Sequence, residues 1–236
     1  MIYKIFPILV FSFLFITTNK SYIKKTDLIA NNNAVVTTEA RVVNVYNALK
    51  LNNASLPNFD CFTKAFKGFN VLKQSNKIQK NILTIVDFSL SSTQKRLWVI
   101  DMNLQEVLVH SLVSHGKNSG EEFAAKFSNA LQSFQSSLGF YATGETYFGK
   151  HGFSLRLDGL EPKINDKARV RAVVIHGADY VSEKFIDQNG RLGRSQGCPA
   201  VPREISNELI NLIKDKSCLF IYHPSVNYNK QTKLIS

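Results

Sequence analysis

Two hydrophobic periods divide this chain. Between Glu39 and Leu51, the residues Val42, Val43, Tyr46, Leu49 and Lys50 recur at the i, i+3, i+4, i+7 spacing of an amphipathic helix, and Phe62, Ala65, Phe66 and Phe69 repeat it between Phe59 and Leu72. These apolar faces predict a helical section docked on a sheet. From Ile82 the pattern changes to short apolar runs separated by turn residues. Ile82–Phe88, Arg96–Asp101, Glu106–Val113, Phe153–Leu157, Val170–Ile175 and Cys218–Tyr222 read as strands. Strands so spaced favour an antiparallel sandwich or barrel over a parallel α/β sheet. Two helices are predicted to interrupt them. Glu204–Lys214 carries Ile205, Leu209, Leu212 and Ile213 on one face directly after Pro202; Glu121–Gln132 carries Phe123, Phe127, Ala130 and Leu131, although its Ser- and Asn-rich surroundings also allow an irregular loop.

The first residues follow a different rule. Lys4 precedes an apolar run from Ile5 to Ile16, the length of a signal-peptide core and short for a hydrocarbon layer of about 30 Å. The expected organisation is a signal peptide or uncleaved anchor over 1–22, a polar linker with Asn31, Asn32 and Asn33 over 23–38, a helical section over 39–79, a β-rich domain over 80–225 and a tail over 226–236. No stable membrane span is expected once the signal is removed. The chain's 236 residues at 44% hydrophobic content hold one sizeable core.

A formal net charge of +11 suits an anionic partner. The basic residues are scattered through strand-like runs and loops. They are neither gathered on one helix nor interleaved with stacking aromatics, so no nucleic-acid partner is expected. Nothing resembles a heptad, and oligomeric state is unspecified.

Candidate chemistry centres on Cys198. Its neighbours Gln196, Gly197 and Pro199 are turn formers that keep a chain near the surface, whereas Cys218 lies in an apolar run and reads as a buried thiol. Cys61 and Cys218 fit either one disulfide or two separate buried thiols. His176 precedes Cys198 by 22 positions and ends a strand-like run, where a rigid sheet can present a base to a cleft. A Gly-Cys turn supplies backbone N–H donors for an oxyanion, and Arg194 beside it could lower a thiol pKa from its free value of about 8.5. His115 and His151 read as cleft-lining or loop-satisfying residues. With no Cys-x-x-Cys, no His-Glu-x-x-His and no paired carboxylates on a helix, neither a metal nor another cofactor is expected.

His176-Gly177 followed by Ser195-Gln196-Gly197-Cys198-Pro199-Ala200 resembles the signature of the murein L,D-transpeptidase catalytic-domain family (YkuD-like), in a divergent Ser-x-Gly-Cys-Pro-Ala branch. The commoner signature carries a second histidine where this chain has Gln196. Further similar segments are Ser114-His115-Gly116-Lys117-Asn118-Ser119-Gly120, Ser136-Ser137-Leu138-Gly139 and Gly149-Lys150-His151-Gly152 with Ser154 to Leu160. The resemblance implies a mainly β fold with α, a β-sandwich or barrel catalytic domain carrying an N-terminal helical section. It implies Cys198 as nucleophile, His176 as base, the N–H groups of Gly197 and Cys198 as oxyanion donors, and the Gly177 carbonyl as the hold on the histidine. Ser195, Arg194, Gln196, His151 and His115 become candidate substrate contacts. The implied substrate is a peptidoglycan stem peptide in the bacterial envelope, with D-Ala released and a 3-3 crosslink formed. Water in place of an amine would make the same site an L,D-carboxypeptidase or endopeptidase, and a noncatalytic wall-binding role is the alternative outside enzymology.

Overall fold

The computed structural model describes residues 39–235; the expected signal peptide and linker lie outside the described residues. A compact unit begins at Arg41 and holds every described strand. Its strands are β1 (Ile82–Asp87), β2 (Leu97–Asp101), β3 (Glu106–Ser111), β4 (Gly139–Gly149), β5 (Gly152–Gly159), β6 (Val174–Ala178), β7 (Ala200–Pro202) and β8 (Cys218–Tyr222). They form one sheet in the order β3-β2-β1-β8-β4-β5-β6-β7, antiparallel except for the β1–β8 and β6–β7 pairs. Beyond β3, Ser114 bridges to Ala200 of β7 and donates its N–H to the Ala200 carbonyl at 2.9 Å. The two ends of the sheet are thereby tied into a near-barrel.

Helices cover the outside. α1 (Phe59–Gln74) turns Cys61, Phe62, Ala65, Phe66, Phe69 and Leu72 into the core against β1 and β8. Asn58 caps it by accepting from the N–H of Asp60 at 2.9 Å, and Asp60 adds a negative charge at the positive end of the helix dipole. α3 (Arg203–Ile213) starts right after Pro202 and buries Leu209, Ile210 and Ile213 over β5, β6 and β7. Covered on both faces, β8 is buried at all five positions, and β1 reads as a nearly continuous apolar run for the same reason. Residues 39–48 are also helical, and two short helices, α2 (Glu183–Asn189) and α4 (Val226–Gln231), lie later in the chain. Cys61 and Cys218 are free, buried thiols. No helix among the described residues is long and apolar enough to cross a membrane.

The mainly β class with a helical N-terminal section is the one expected, but the sheet is mixed rather than purely antiparallel. The strand expected over Val170–Ile175 begins only at Val174, because Arg171 N and Val173 N donate back to Lys167 O and Ala168 O as turns. His176 therefore sits mid-strand, not at the strand's end. Residues 121–132 form the irregular loop, pinned where Ala125 N and Lys126 N both donate to Ser119 O. β4 escapes the pattern because Gly144 and Glu145 interrupt it at a bulge between Thr143 and Thr146. α2 buries no residue and so carries no amphipathic signal.

Candidate active site

Three-residue β7 is what brings Cys198 and His176 together. It runs parallel to β6 with Ala200 opposite His176, so Cys198, two residues earlier, enters the same cleft as the imidazole. The turn before it is braced internally. Ser195 Oγ donates to the Cys198 carbonyl at 2.7 Å and accepts from Gly197 N at 3.0 Å. Gly197 has φ +119°, and a Cβ there would lie 2.8 Å from the Gln135 carbonyl oxygen, so the position demands glycine. Its N–H, expected to face substrate, faces the Ser195 hydroxyl instead. The Cys198 N–H makes no hydrogen bond to a described residue and is the donor left to a ligand.

The thiol is half-buried and lies 3.7 Å from the Ala172 carbonyl, to which it donates. Burial pushes its pKa up, against the pull of the Val174 N–H, Arg171 and Lys150. His176 is 2% exposed, with Nδ1 3.0 Å from the Gly177 carbonyl. A carbonyl only accepts, so Nδ1 carries the hydrogen and Nε2 keeps its lone pair. Burial lowers the His176 pKa, and His151, Arg203 and Lys150 add to the effect against the Gly177 bond. The resting pair is a neutral thiol and a neutral imidazole, not an ion pair, and the two are not hydrogen-bonded to one another.

The cleft has a volume of 680 Å³. Val174, His176, Tyr180 and Cys198 line its inner surface, Tyr147, Lys150 and His151 of the β4–β5 hairpin one wall, and Leu131, Gln132 and Phe134 the other. Among the described residues, Lys150, Arg171 and Arg194 are the charged residues that line it, and no carboxylate does. The lining thus favours an anionic ligand.

Several sequence expectations change here. Arg194 was expected to act on the thiol, but its guanidinium pairs with Glu121 at 2.5 Å and donates to the carbonyls of Lys117 and Gly120. Arg171 and Lys150 act on the thiol instead. Arg171, within the run expected as a strand over Val170–Ile175, reaches across to donate to Ser128 O at 2.8 Å, Gln135 O at 2.6 Å and Ser133 Oγ at 3.2 Å, fixing the loop that forms one wall. The turn at 164–172, invisible to period counting, turns it inward. His115 does not line the cleft. It is 1% exposed, accepts from Arg96 at Nδ1 (2.8 Å) and donates from Nε2 to Gly120 O (3.2 Å). Ser195 is a buried brace, Gln196 is exposed on the rim, and His151 is exposed and lines the cleft. No cluster of three His, Cys, Asp or Glu able to hold a metal exists among the described residues.

Residues 53–222, well over half of the chain, match the family model described as L,D-transpeptidase catalytic domain. No curated protein matches the chain. Among solved structures, an L,D-transpeptidase from Mycobacterium smegmatis is 13% identical, over 61% of this chain and 59% of that chain, with a TM-score of 0.38. The helical cell shape determining protein Pgp2 from Campylobacter jejuni is 13% identical, over 72% of this chain and 58% of that one, with a TM-score of 0.40. An L,D-transpeptidase from Xylanimonas cellulosilytica is 13% identical, over 80% and 93%, with a TM-score of 0.35. The chain spans about three fifths of the length of the first two of these.

Proposed function

Because this chain belongs to the L,D-transpeptidase catalytic-domain family, we propose that it is a cysteine acyltransferase of peptidoglycan stem peptides in the bacterial envelope, forming 3-3 crosslinks with release of D-Ala. The observation that carries this reading is the Nδ1–H bond of His176 to the Gly177 carbonyl at 3.0 Å, which leaves Nε2 as a proton acceptor in the cleft that holds Cys198.

The chemistry runs in two halves. Rotation of Cys198 turns the thiol from Ala172 O toward His176, whose Nε2 takes the proton as Sγ attacks the carbonyl carbon of the third stem residue. The Cys198 N–H donates to the oxyanion. When the C–N bond to D-Ala breaks, His176 returns the proton to the leaving amine, and a thioester remains on Cys198. An amine from a second stem then attacks the thioester carbon, His176 takes its proton, the C–S bond breaks and the proton passes to sulfur. The cationic lining of Lys150 and Arg171 suits stem peptides, which carry free carboxylates. Half-exposure of Cys198 also gives water access to the thioester, so hydrolysis to a tripeptide is the competing second half.

Incubating the full chain with a disaccharide tetrapeptide, with and without a free D-amino acid, and following it by mass spectrometry tests the reading. Loss of D-Ala with a transient adduct on Cys198 is expected; exchange or dimer products identify transpeptidation and tripeptide identifies hydrolysis. Cys198→Ala should form no adduct while keeping the wild-type circular dichroism spectrum. Wild-type turnover by that variant overturns the assignment.

A further inference from the structure

We propose that His151, at the tip of the β4–β5 hairpin, is a positioning residue for His176. The inference rests on the reading of His176 as the base. β4 and β5 stay paired down to Gly149 opposite Gly152, which leaves Lys150 and His151 as a two-residue tip. Gly152 takes φ +79°, the left-handed residue that closes such a turn and lets its strands continue in register. Ser154, two positions on, pairs directly with His176 across β5–β6. The tip therefore projects over the strand that carries the imidazole, and the His151 ring lies on that of His176 with centroids 4.3 Å apart and planes 20° from parallel.

The hydrogen bond at Nδ1 fixes one edge of the buried imidazole, and the stacked ring of His151 covers its face, so Nε2 is oriented both by the Gly177 carbonyl and by the hairpin. The turn before the nucleophile brings no second imidazole, since position 196 is an exposed glutamine. The charges facing the stacked pair are Lys150 on the same tip and Arg203 of α3, itself paired with Asp179 at 3.0 Å, with the Cys198 thiol in the same cleft. All of these cations disfavour a proton on either ring, and two imidazolium groups in face contact repel. The stack thus rests neutral, and when His176 takes a proton its flat face lies against a neutral aromatic surface.

Two measurements on the full chain decide this. In D-Ala release from the tetrapeptide at pH 7, His151→Ala should lower kcat about tenfold with KM within about twofold, and His151→Phe, which keeps a flat ring without a titrating group, should recover kcat to within about threefold. In an imidazole NMR titration, His176 and His151 should titrate as a coupled pair, and the second step should vanish in His151→Phe. A wild-type kcat in His151→Ala, or a Phe variant no better than Ala, overturns the positioning role. A wild-type chain that releases no D-Ala but shows coupled titration sinks the functional reading and leaves the stack standing; independent single titrations sink the stack itself.

Discussion

Ser195 ties its own hydroxyl to the carbonyl of Cys198, three residues on, at 2.7 Å, and the same oxygen accepts the Gly197 N–H at 3.0 Å. One buried side chain thereby sets the shape of the turn that carries Cys198, the proposed nucleophile. Ser195→Ala should remove both bonds, lower stability by about 1–2 kcal/mol and slow acyl-enzyme formation about tenfold. Stopped-flow detection of the adduct and urea denaturation check it; wild-type acylation would show that the turn holds its shape without the brace.

The acid limb of kcat/KM should reflect His176. A base works when neutral, and burial of the imidazole moves its pKa below the ordinary 6.5, so activity should persist below that pH. The midpoint of the limb is therefore expected under pH 6.5, measured from pH 4 to 8 with the fold verified at each point. A midpoint above 6.5 would require an imidazolium stabilised by a thiolate, contrary to the raised thiol pKa.

Arg171 donates to four oxygens, Ser128 O, Ser137 Oγ, Ser133 Oγ and Gln135 O, from two nitrogens, a fork that a lysine cannot reproduce. Arg171→Lys should cost about 2 kcal/mol, at the scale of a charged hydrogen bond lost in a half-buried site. Hydrogen exchange should rise first at residues 128–137. Uniform exchange across the chain would show that Arg171 supports the whole fold rather than this wall.

His115 is expected to make the fold acid-sensitive. Burial, with Arg96 beside it, takes its pKa down to about 4 from 6.5. The unfolded chain therefore binds the proton more tightly, and the stability contributed is complete above pH 6.5 and is lost as pH falls toward 4, by about 3 kcal/mol. In His115→Asn, whose side-chain oxygen can still accept from Arg96, the pH slope of urea stability across that window should flatten. An unchanged slope would assign the acid loss to other groups.

How much of this was legible in the sequence depends on the range of the interaction. Phe62, Phe66 and Phe69 announce the buried face of α1, and Leu209 and Ile213 that of α3, because a helix repeats its contacts within one segment. The Gly-Cys turn was legible for a similar reason: the chain at Gly197 needs a conformation that few residues adopt. β4 was not legible, since Gly144 and Glu145 break its alternation at a bulge that only a partner strand makes sensible. Nor was α2, which buries nothing.

The sequence by itself determined the residue types and their local states: a helical N-terminal section, a mainly β body, a cysteine in a turn and a histidine on an apolar strand. Tertiary structure decided which groups meet. It turned Arg171 inward and engaged Arg194 with Glu121, buried His115 against Arg96, and laid His151 on His176. Local conformation follows from torsional preference and periodic burial, which neighbours in the chain fix. Partners far apart in sequence are chosen by sheet register and by the need to satisfy every buried donor and charge, and those constraints exist only once the strands have paired.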